Sequence, residues 1–150
     1  MIKFTTGDLL LAPAEALVNA VNTAGVMGKG IALQFKKRFP QNYNLYKQAA
    51  EAGQLETGKN FVVQNPTTDP VKWIINFPTK KHWRSPSELE YVVAGLDDLR
   101  NVIKDLKIKS IALPALGCGN GGLDWNIVKP ILENKLESLV EVEILIYEPI

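Results

Sequence analysis

Strand and helix signals alternate along the whole chain, and this alternation limits its fold more than any other feature. Short β-rich runs bounded by turn residues predict strands at residues 2–4, 15–21, 60–65, 72–77, 109–116 and 140–147. Apolar residues at helical spacing predict helices at residues 28–39, 42–53, 85–106 and 124–136. Such an order over 150 residues predicts one α/β domain with helices packed on a mixed sheet.

The helix predicted over residues 85–106 has the clearest start signal. Ser85 fits the N-cap, Pro86 fits the first helical position, and Glu88 would complete a capping box. Apolar residues from Leu89 to Leu106 recur at spacings of three and four, which predicts one buried face.

The composition argues against several classes of protein. One cysteine cannot form an internal disulfide bond, and one histidine with one cysteine cannot make a structural zinc site, so we expect neither a metal nor a cofactor. No stretch approaches the roughly 18 apolar residues of a membrane span, which predicts a cytoplasmic protein without a membrane partner. Because the net charge is only +1, attraction to nucleic acid would need a local basic patch.

Two glycine-rich turns, each between a predicted strand and a predicted helix, are the candidate ligand site. The first turn covers residues 19–30 and has two asparagines, one lysine and no acidic residue, and the second covers residues 117–122. In α/β sheets, ligands bind where loops leave the carboxyl ends of strands. Glycine allows close approach, and successive N–H groups ahead of a helix attract anions. Together the turns favour a ligand with two phosphates, although either could be only a tight turn.

Two common phosphate-binding motifs fit these turns incompletely. A Walker A loop needs serine or threonine after its lysine, but Gly30 follows Lys29. Residues 117–122 match the G-x-G-x-x-G pattern of dinucleotide-binding enzymes, with Glu141 and Glu143 near the spacing of a ribose contact. Those glutamates fall at the start and middle of a strand rather than at its carboxyl end. A nicotinamide enzyme is therefore an alternative that the sequence supports only in part.

Four segments resemble the macro domain family, the ADP-ribose-binding fold. They are GD at 7–8, VNAVN at 18–22, GKGIA at 28–32 and ALPALGCGNGGLDW at 112–125. The resemblance implies a single macro domain over residues 1–150, with three α/β/α layers around a mixed, mostly parallel central sheet. More narrowly, INFPTKKHWR at 75–84 resembles the subgroup of the terminal ADP-ribose protein glycohydrolase and the DarG antitoxins, which remove ADP-ribose from thymidine bases in DNA.

The resemblance implies that the two turns enclose the diphosphate of ADP-ribose. The amide of Asn22 would then address the distal ribose, since an amide both donates and accepts without adding negative charge. Asp8 would accept a hydrogen bond from adenine, although it could also be only a turn residue, and Asn19 is interpreted as support for the backbone. The implied ADP-ribose-binding residues are Asp8, Leu9, Gly25, Gly28, Gly30, Gly117, Cys118, Gly119, Asn120, Gly121 and Gly122.

The same resemblance makes Lys80 the catalytic residue, together with Asn22. A lysine can act as a nucleophile or an acid when burial or neighbouring positive charge lowers its pKa. The following residues, Lys81, His82, Trp83 and Arg84, would bind DNA, with Trp83 stacking on a nucleobase as in single-strand binders. A solvated basic loop is the alternative for this run, and a loop aromatic that covers the core is the alternative for Trp83.

One position departs from the pattern of the protein glycohydrolase, in which an aspartate follows the G-C-G of the second turn. Asn120 stands there in this chain, and Asp124 could instead begin the next helix. Whether Lys80 forms a covalent adduct therefore stays open. Cys118 is an alternative nucleophile, but no adjacent residue supplies a base.

These features together predict hydrolysis of the N-glycosidic bond between ADP-ribose and a thymine of single-stranded DNA. The expected partners are ADP-ribosylated single-stranded DNA, the product ADP-ribose and a cognate toxin of the DarT type, whose modification the enzyme would reverse. The alternatives are an ADP-ribose reader without turnover and a hydrolase of ADP-ribose esters on protein carboxylates.

Overall fold

The computed structural model describes residues 1–66 and 68–149, and within them six strands form one sheet in the order β1-β6-β5-β2-β4-β3. The strands are β1 (Ile2–Thr5), β2 (Ala16–Asn22), β3 (Phe61–Gln64), β4 (Trp73–Lys80), β5 (Ser110–Leu113) and β6 (Glu143–Tyr147). Neighbouring strands are parallel except β3, which is antiparallel to β4. The predicted mixed, mostly parallel sheet is confirmed.

In the same described ranges the chain forms α1 (Gly30–Arg38), α2 (Pro40–Glu51), α3 (Leu89–Asp105) and α4 (Trp125–Leu136). Pro40 is the first residue of α2, where its missing N–H is no loss, and it separates α2 from α1. None of these helices is long and apolar enough to cross a membrane.

Side chains of the central strands point alternately to the two faces of the sheet, so the core has two parts. On β2, Val18 packs in a buried cluster with Leu96 of α3 and Leu132 of α4. The next residue towards the amino terminus, Leu17, packs in a second cluster with Phe35 of α1. Because successive strand residues point to opposite faces, the helices cover both sides. The three-layer α/β/α arrangement is thus confirmed.

Helix α3 lies against β4 at Gly95, the single glycine of this helix. Gly95 is buried in the middle of α3, and a Cβ added there would collide with the ring of Phe77. Glycine within a helix is destabilising relative to alanine, by roughly 0.5–1 kcal/mol. The close approach of the Phe77 ring is the physical reason for glycine at this position.

Strand β4 runs three residues beyond its predicted end and includes Lys80. The sequence signal for an end was Pro78, which cannot donate to a ladder of backbone hydrogen bonds. Strand β3 pairs with β4 only over residues 73–76, so Pro78 lies where β4 has no second neighbour. Proline is tolerated in such an edge position. Lys80 consequently lies opposite Asn22, at the carboxyl ends of β4 and β2.

The predicted start of α3 at Ser85 is wrong. The helix begins at Leu89 with Glu88 as its N-cap, and no side chain makes a capping hydrogen bond. The Ser85 N–H donates to the His82 carbonyl at 3.0 Å, and the Ser87 N–H donates to the Gly121 carbonyl at 2.9 Å. The contact between Ser87 and the second glycine-rich turn fixes this segment in a non-helical path, so the tertiary contact overrides the local capping pattern.

Candidate active site

A cavity of about 690 Å³ lies at the carboxyl ends of β2, β4 and β5. The described residues that line it fall in ranges 20–22, 26–32, 79–84 and 114–121. They contribute the cations Lys29, Lys80 and Arg84 and no carboxylate, and none of these cations forms an ion pair within the described chain. No cluster of metal-ligating residues occurs in that part of the chain either. The cavity therefore favours an anionic ligand.

The amide of Asn22 shapes the first glycine-rich turn. Its Oδ1 accepts from the backbone N–H groups of Ala24 at 3.0 Å and Val26 at 3.3 Å, and its Nδ2 donates to the Val26 carbonyl at 2.8 Å. An amide nitrogen carries two hydrogens. The second Nδ2 hydrogen of this cavity-lining side chain can therefore donate a hydrogen bond to a ligand.

Tyr46 of α2 fixes the position of Asn22, a contact that the sequence did not predict. Its hydroxyl lies 2.6 Å from the Asn22 carbonyl oxygen and 2.9 Å from Asn22 Oδ1, and it donates its single hydrogen to this pair of acceptors. Burial raises the pKa of Tyr46 far above its ordinary value, so the hydroxyl stays protonated and remains a donor. The helical pattern of α2 predicts burial of this side chain but gives no signal of its partner.

A buried cluster of amides supports the same turn. Asn42 and Asn76 exchange hydrogen bonds of 3.1 and 2.8 Å between their side chains, and Asn19 Nδ2 donates to Asn76 Oδ1 at 3.3 Å. Asn19 Nδ2 also lies 3.8 Å from Met27 Sδ. Asn19 is fully buried, so its support for the turn passes through these side chains.

The two glycine-rich turns approach each other at Gly30 and Asn120. Gly30 has a φ of +56°, and a Cβ added there would lie 3.1 Å from Asn120 Nδ2. Gly119, which precedes Asn120 in the second turn, has a φ of +67°, and a Cβ added there would meet no atom within 4 Å. The backbone of the second turn is therefore open to the cavity at Gly119. The cavity is narrower where Asn120 approaches Gly30.

Lys80 is held between the two turns. The backbone N–H of Thr23 donates to the Lys80 carbonyl at 3.0 Å, and the Thr23 hydroxyl donates to the Lys81 carbonyl at 2.8 Å. On the other side, the Ser87 N–H bonds to Gly121. The Lys80 side chain lines the cavity, and its Nζ donates to the Trp83 carbonyl at 3.4 Å.

Only part of the basic segment after Lys80 lines the cavity. Trp83 and Arg84 line the cavity, whereas Lys81 and His82 do not. The rings of His82 and Trp83 stack with centroids 5.3 Å apart, and Arg84 Cζ lies 4.4 Å from the Trp83 ring centre. Trp83 is 40% exposed and belongs to none of the three buried clusters. The alternative that Trp83 covers the core is therefore wrong.

Other predicted ligand residues lie away from this lining. Gly25 and Gly122 belong to the two turns but do not line the cavity. Leu9 is buried in the core, and Asp8 Oδ1 accepts from the Leu10 N–H at 3.0 Å, which caps the 3-10 turn over Leu9–Leu11. Asp8 lines a separate cavity of about 670 Å³. Its contact with adenine stays a prediction.

Lys29 is the cavity-lining cation that the predicted site omitted. It precedes α1 as its N-cap and makes no capping hydrogen bond with its side chain. Its position between Gly28 and Gly30 was the available signal, since a cation flanked by two glycines in an anion-binding turn is placed to reach the same ligand.

Cys118 and Asp124 have structural surroundings that bear on the chemistry. Burial and, to a smaller extent, the charge of Asp124 raise the pKa of Cys118 to about 11, which disfavours the thiolate that a nucleophile needs. Asp124 Oδ1 accepts from the Asn126 N–H at 2.9 Å, so Asp124 is the N-cap of α4 as the sequence suggested. Asn120, in contrast, lines the cavity.

Comparisons with known proteins agree on one family. The model of the macro domain matches residues 18–132. The DNA ADP-ribosyl glycohydrolase of Thermus aquaticus is 55% identical over 150 residues, all of this chain and 42% of that protein. A fusion of a DNA ADP-ribosyl transferase with a DNA ADP-ribosyl glycohydrolase, from Thermosipho africanus, is 36% identical over 99% of this chain and 42% of its own length. The chain thus spans less than half the length of these curated relatives.

Solved structures give the same result. The macrodomain of Mycobacterium tuberculosis DarG matches with a TM-score of 0.98 and 54% identity, over 100% of this chain and 99% of that chain. Thermosipho africanus DarTG in complex with ADP-ribose matches with a TM-score of 0.92 and 36% identity, over 99% of this chain and 42% of that one.

Proposed function

The chain belongs to the macro domain family, and we propose that it hydrolyses the N-glycosidic bond between ADP-ribose and a thymine of single-stranded DNA. The observation that carries this proposal is the position of Lys80, at the wall of a cationic cavity between two glycine-rich turns. The relatives named DNA ADP-ribosyl glycohydrolases support the assignment of substrate. They are 54–55% identical to this chain over nearly its whole length.

ADP-ribose would bind through backbone and cations together. Its diphosphate fits between the first turn and the second, near Gly119, where the backbone is open. Lys29 would neutralise the phosphates, which no carboxylate of the described lining would repel. The second hydrogen of Asn22 Nδ2 would donate to a hydroxyl of the distal ribose.

The reaction breaks the bond between the anomeric carbon of the distal ribose and a thymine nitrogen. In one route the Lys80 ammonium group gives a proton to the leaving base while water adds to the anomeric carbon and loses a proton to solvent. In the other route the neutral amine attacks that carbon and displaces the thymine, which takes up the proton released by the amine, and water later hydrolyses the lysyl adduct. No carboxylate of the described lining could activate that water, since Asn120 stands where the pattern of the protein glycohydrolase has an aspartate. This absence favours the first route.

The DNA strand would leave the cavity over Trp83. An exposed tryptophan beside Arg84 offers an aromatic face and a cation, which together suit a base and its phosphate. The fusion of transferase and glycohydrolase in the Thermosipho relative supports a DarT-type transferase as the source of the substrate. Such a substrate would place the protein in the cytoplasm, with the DNA.

A side-by-side assay tests this function. The chain is incubated with ADP-ribosylated single-stranded DNA and, separately, with protein that carries ADP-ribose esters, and released ADP-ribose is measured. We expect release from DNA alone. Release from protein would instead identify an ester hydrolase, and binding of ADP-ribose without release from either substrate would identify a reader.

A further inference from the structure

A buried hydroxyl beside the second glycine-rich turn has no hydrogen-bond partner among the described residues. Ser87 is only 5% exposed, and within residues 1–66 and 68–149 its Oγ has neither a donor nor an acceptor. An unsatisfied buried hydroxyl destabilises a folded protein, and each such group calls for an explanation. Functional sites are where these groups are tolerated.

The Ser87 hydroxyl lies beside the second glycine-rich turn, and the end of the Lys80 side chain lies near the same glycine. A Cβ added to Gly121 would collide with Ser87 Oγ and would lie 4.0 Å from Lys80 Cε. The hydroxyl and the lysine chain therefore approach the same point beneath Gly121. The backbone hydrogen bond of 2.9 Å from Ser87 to Gly121 keeps Ser87 in this place.

The Lys80 ammonium group has few hydrogen-bond partners. Its one hydrogen bond in the described chain runs to the Trp83 carbonyl at 3.4 Å, which is long for an N–H···O contact, and it forms no ion pair. An ammonium group has three donors. A second acceptor is needed to fix its direction within the cavity.

We propose that Ser87 positions Lys80 for the reaction: its hydroxyl accepts a hydrogen bond from the ammonium group when Lys80 turns from the Trp83 carbonyl towards the bound substrate. Ser87 acts through Lys80 and need not touch the substrate. The inference rests on the proposed function, because it assigns the direction of a proton donor that the reaction requires.

The variant Ser87→Ala tests this role. Turnover of ADP-ribosylated oligonucleotide should fall about tenfold in kcat, with KM and the Kd of free ADP-ribose unchanged. The midpoint of thermal unfolding should stay level or rise, because the variant removes an unsatisfied hydroxyl. Ser85→Ala is the matched control, since Ser85 lies in the same segment but is only half-buried, and its backbone N–H bonds to His82 rather than to the second turn, so it should change none of these quantities.

Two results would overturn the role of Ser87 while wild-type turnover upholds the proposed function. One is a kcat for Ser87→Ala equal to that of the wild type. The other is an equal loss of kcat, ADP-ribose affinity and unfolding midpoint, which would show a merely structural role. A wild-type chain without turnover on the DNA substrate would instead overturn the proposed function, and the positioning role with it.

Discussion

The Lys80 ammonium group donates a hydrogen bond of 3.4 Å to the carbonyl oxygen of Trp83, across the turn that follows β4. The side chain assigned to the reaction and the ring assigned to the nucleobase are thus parts of one short segment. That segment is fastened to the first glycine-rich turn by Thr23 and to the second by Ser87. Side-chain variants can therefore separate the two roles while the backbone keeps its position.

Lys80→Ala should abolish release of ADP-ribose from modified DNA while free ADP-ribose still binds with a Kd within about threefold of the wild-type value. The physical reason is that the turns and Lys29 supply affinity, whereas Lys80 supplies the proton. Turnover assays and calorimetry measure the two quantities. Equal loss of both would make Lys80 a phosphate ligand.

Lys81→Ala is the matched control for that experiment. Lys81 is the next residue, is exposed, does not line the cavity and has its Nζ 5.7 Å from the Tyr91 ring. Turnover within about twofold of wild type is expected. A loss as large as that of Lys80→Ala would contradict the assignment of the two lysines.

Trp83→Ala should raise KM for the modified oligonucleotide about tenfold and leave the Kd of free ADP-ribose nearly unchanged. Stacking on an aromatic side chain contributes roughly 1–3 kcal/mol per base, and about 1.4 kcal/mol corresponds to a factor of ten. Steady-state kinetics on the oligonucleotide and on the modified nucleoside measure the effect. Equal cleavage of both substrates by wild type and variant would remove DNA stacking from the site.

Arg84→Ala should flatten the dependence of oligonucleotide binding on salt. Each phosphate contact on a single strand contributes a slope of about −0.7 in log K against log salt concentration. Loss of one contact should therefore reduce the slope by less than one unit. A slope equal to that of the wild type would mean that Arg84 contacts no phosphate of the strand.

The sequence predicted the order of strands and helices well, because those signals are local. It also placed both glycine-rich turns at the cavity, and the resemblance to the macro domain family and to DarG is confirmed. Strand β4 shows where such reasoning ends. Pro78 reads as a strand end, but β3 begins only at Phe61, opposite Asn76, so β4 has no β3 neighbour at Pro78 and continues to Lys80.

The start of α3 and the support of Asn22 show a second limit. The capping pattern at Ser85 is locally sound, but Ser87 is bound to Gly121, which is 34 residues further along the chain and invisible to a local pattern. Tyr46 of α2 likewise contacts Asn22 of β2, which is 24 residues earlier in the chain. Contacts between distant segments determine both features, so one sequence alone does not reveal them.

Gly119→Val should weaken ADP-ribose binding at least tenfold, or about 1.4 kcal/mol. The added side chain would point from an open position towards the space assigned to the diphosphate. Gly53→Val is the matched control, since Gly53 has a φ of +70°, an equally open Cβ position and no place in the cavity lining. Both variants share the backbone strain, so calorimetry should show a loss of affinity for Gly119→Val alone.

Tyr46→Phe should lower the free energy of unfolding by about 1 kcal/mol, the usual value of one hydrogen bond. Turnover should also fall, because Asn22 loses the donor that fixes its position. Tyr43→Phe is the control, since Tyr43 lies on the same helix, makes no side-chain hydrogen bond among the described residues and packs 6.5 Å from the Tyr46 ring. Unchanged turnover in Tyr46→Phe would separate Tyr46 from the site.

The pH dependence of stability gives an independent check on Tyr46. Because the folded-state pKa of Tyr46 lies far above the unfolded value of about 10, its contribution is complete below that pH and is lost as the pH rises above it. Stability of the wild type should therefore fall more steeply than that of Tyr46→Phe as the pH passes 10. Denaturant titrations at pH 8.5 and 10.5 compare the two slopes.

Alkylation of Cys118 at pH 8 should be about a hundredfold slower than that of a free thiol of pKa about 8.5. With a pKa of about 11, raised by burial and then by Asp124, the thiol carries little thiolate at this pH. The rate with iodoacetamide, followed by mass spectrometry, should rise tenfold for each pH unit up to about 11. Rapid alkylation at pH 7 would restore Cys118 as a candidate nucleophile.

The glycine in the middle of α3 has a consequence for how this protein can change over evolutionary time. Replacing Gly95 by alanine would improve the helix taken alone, yet it would force the helix away from Phe77. The segment that carries Ser87 runs directly into α3, and Phe77 precedes Lys80 on the same strand. A change that stabilises the helix alone would therefore shift both segments that hold the proposed reactive groups, so the missing side chain at residue 95 contributes to the geometry of the site.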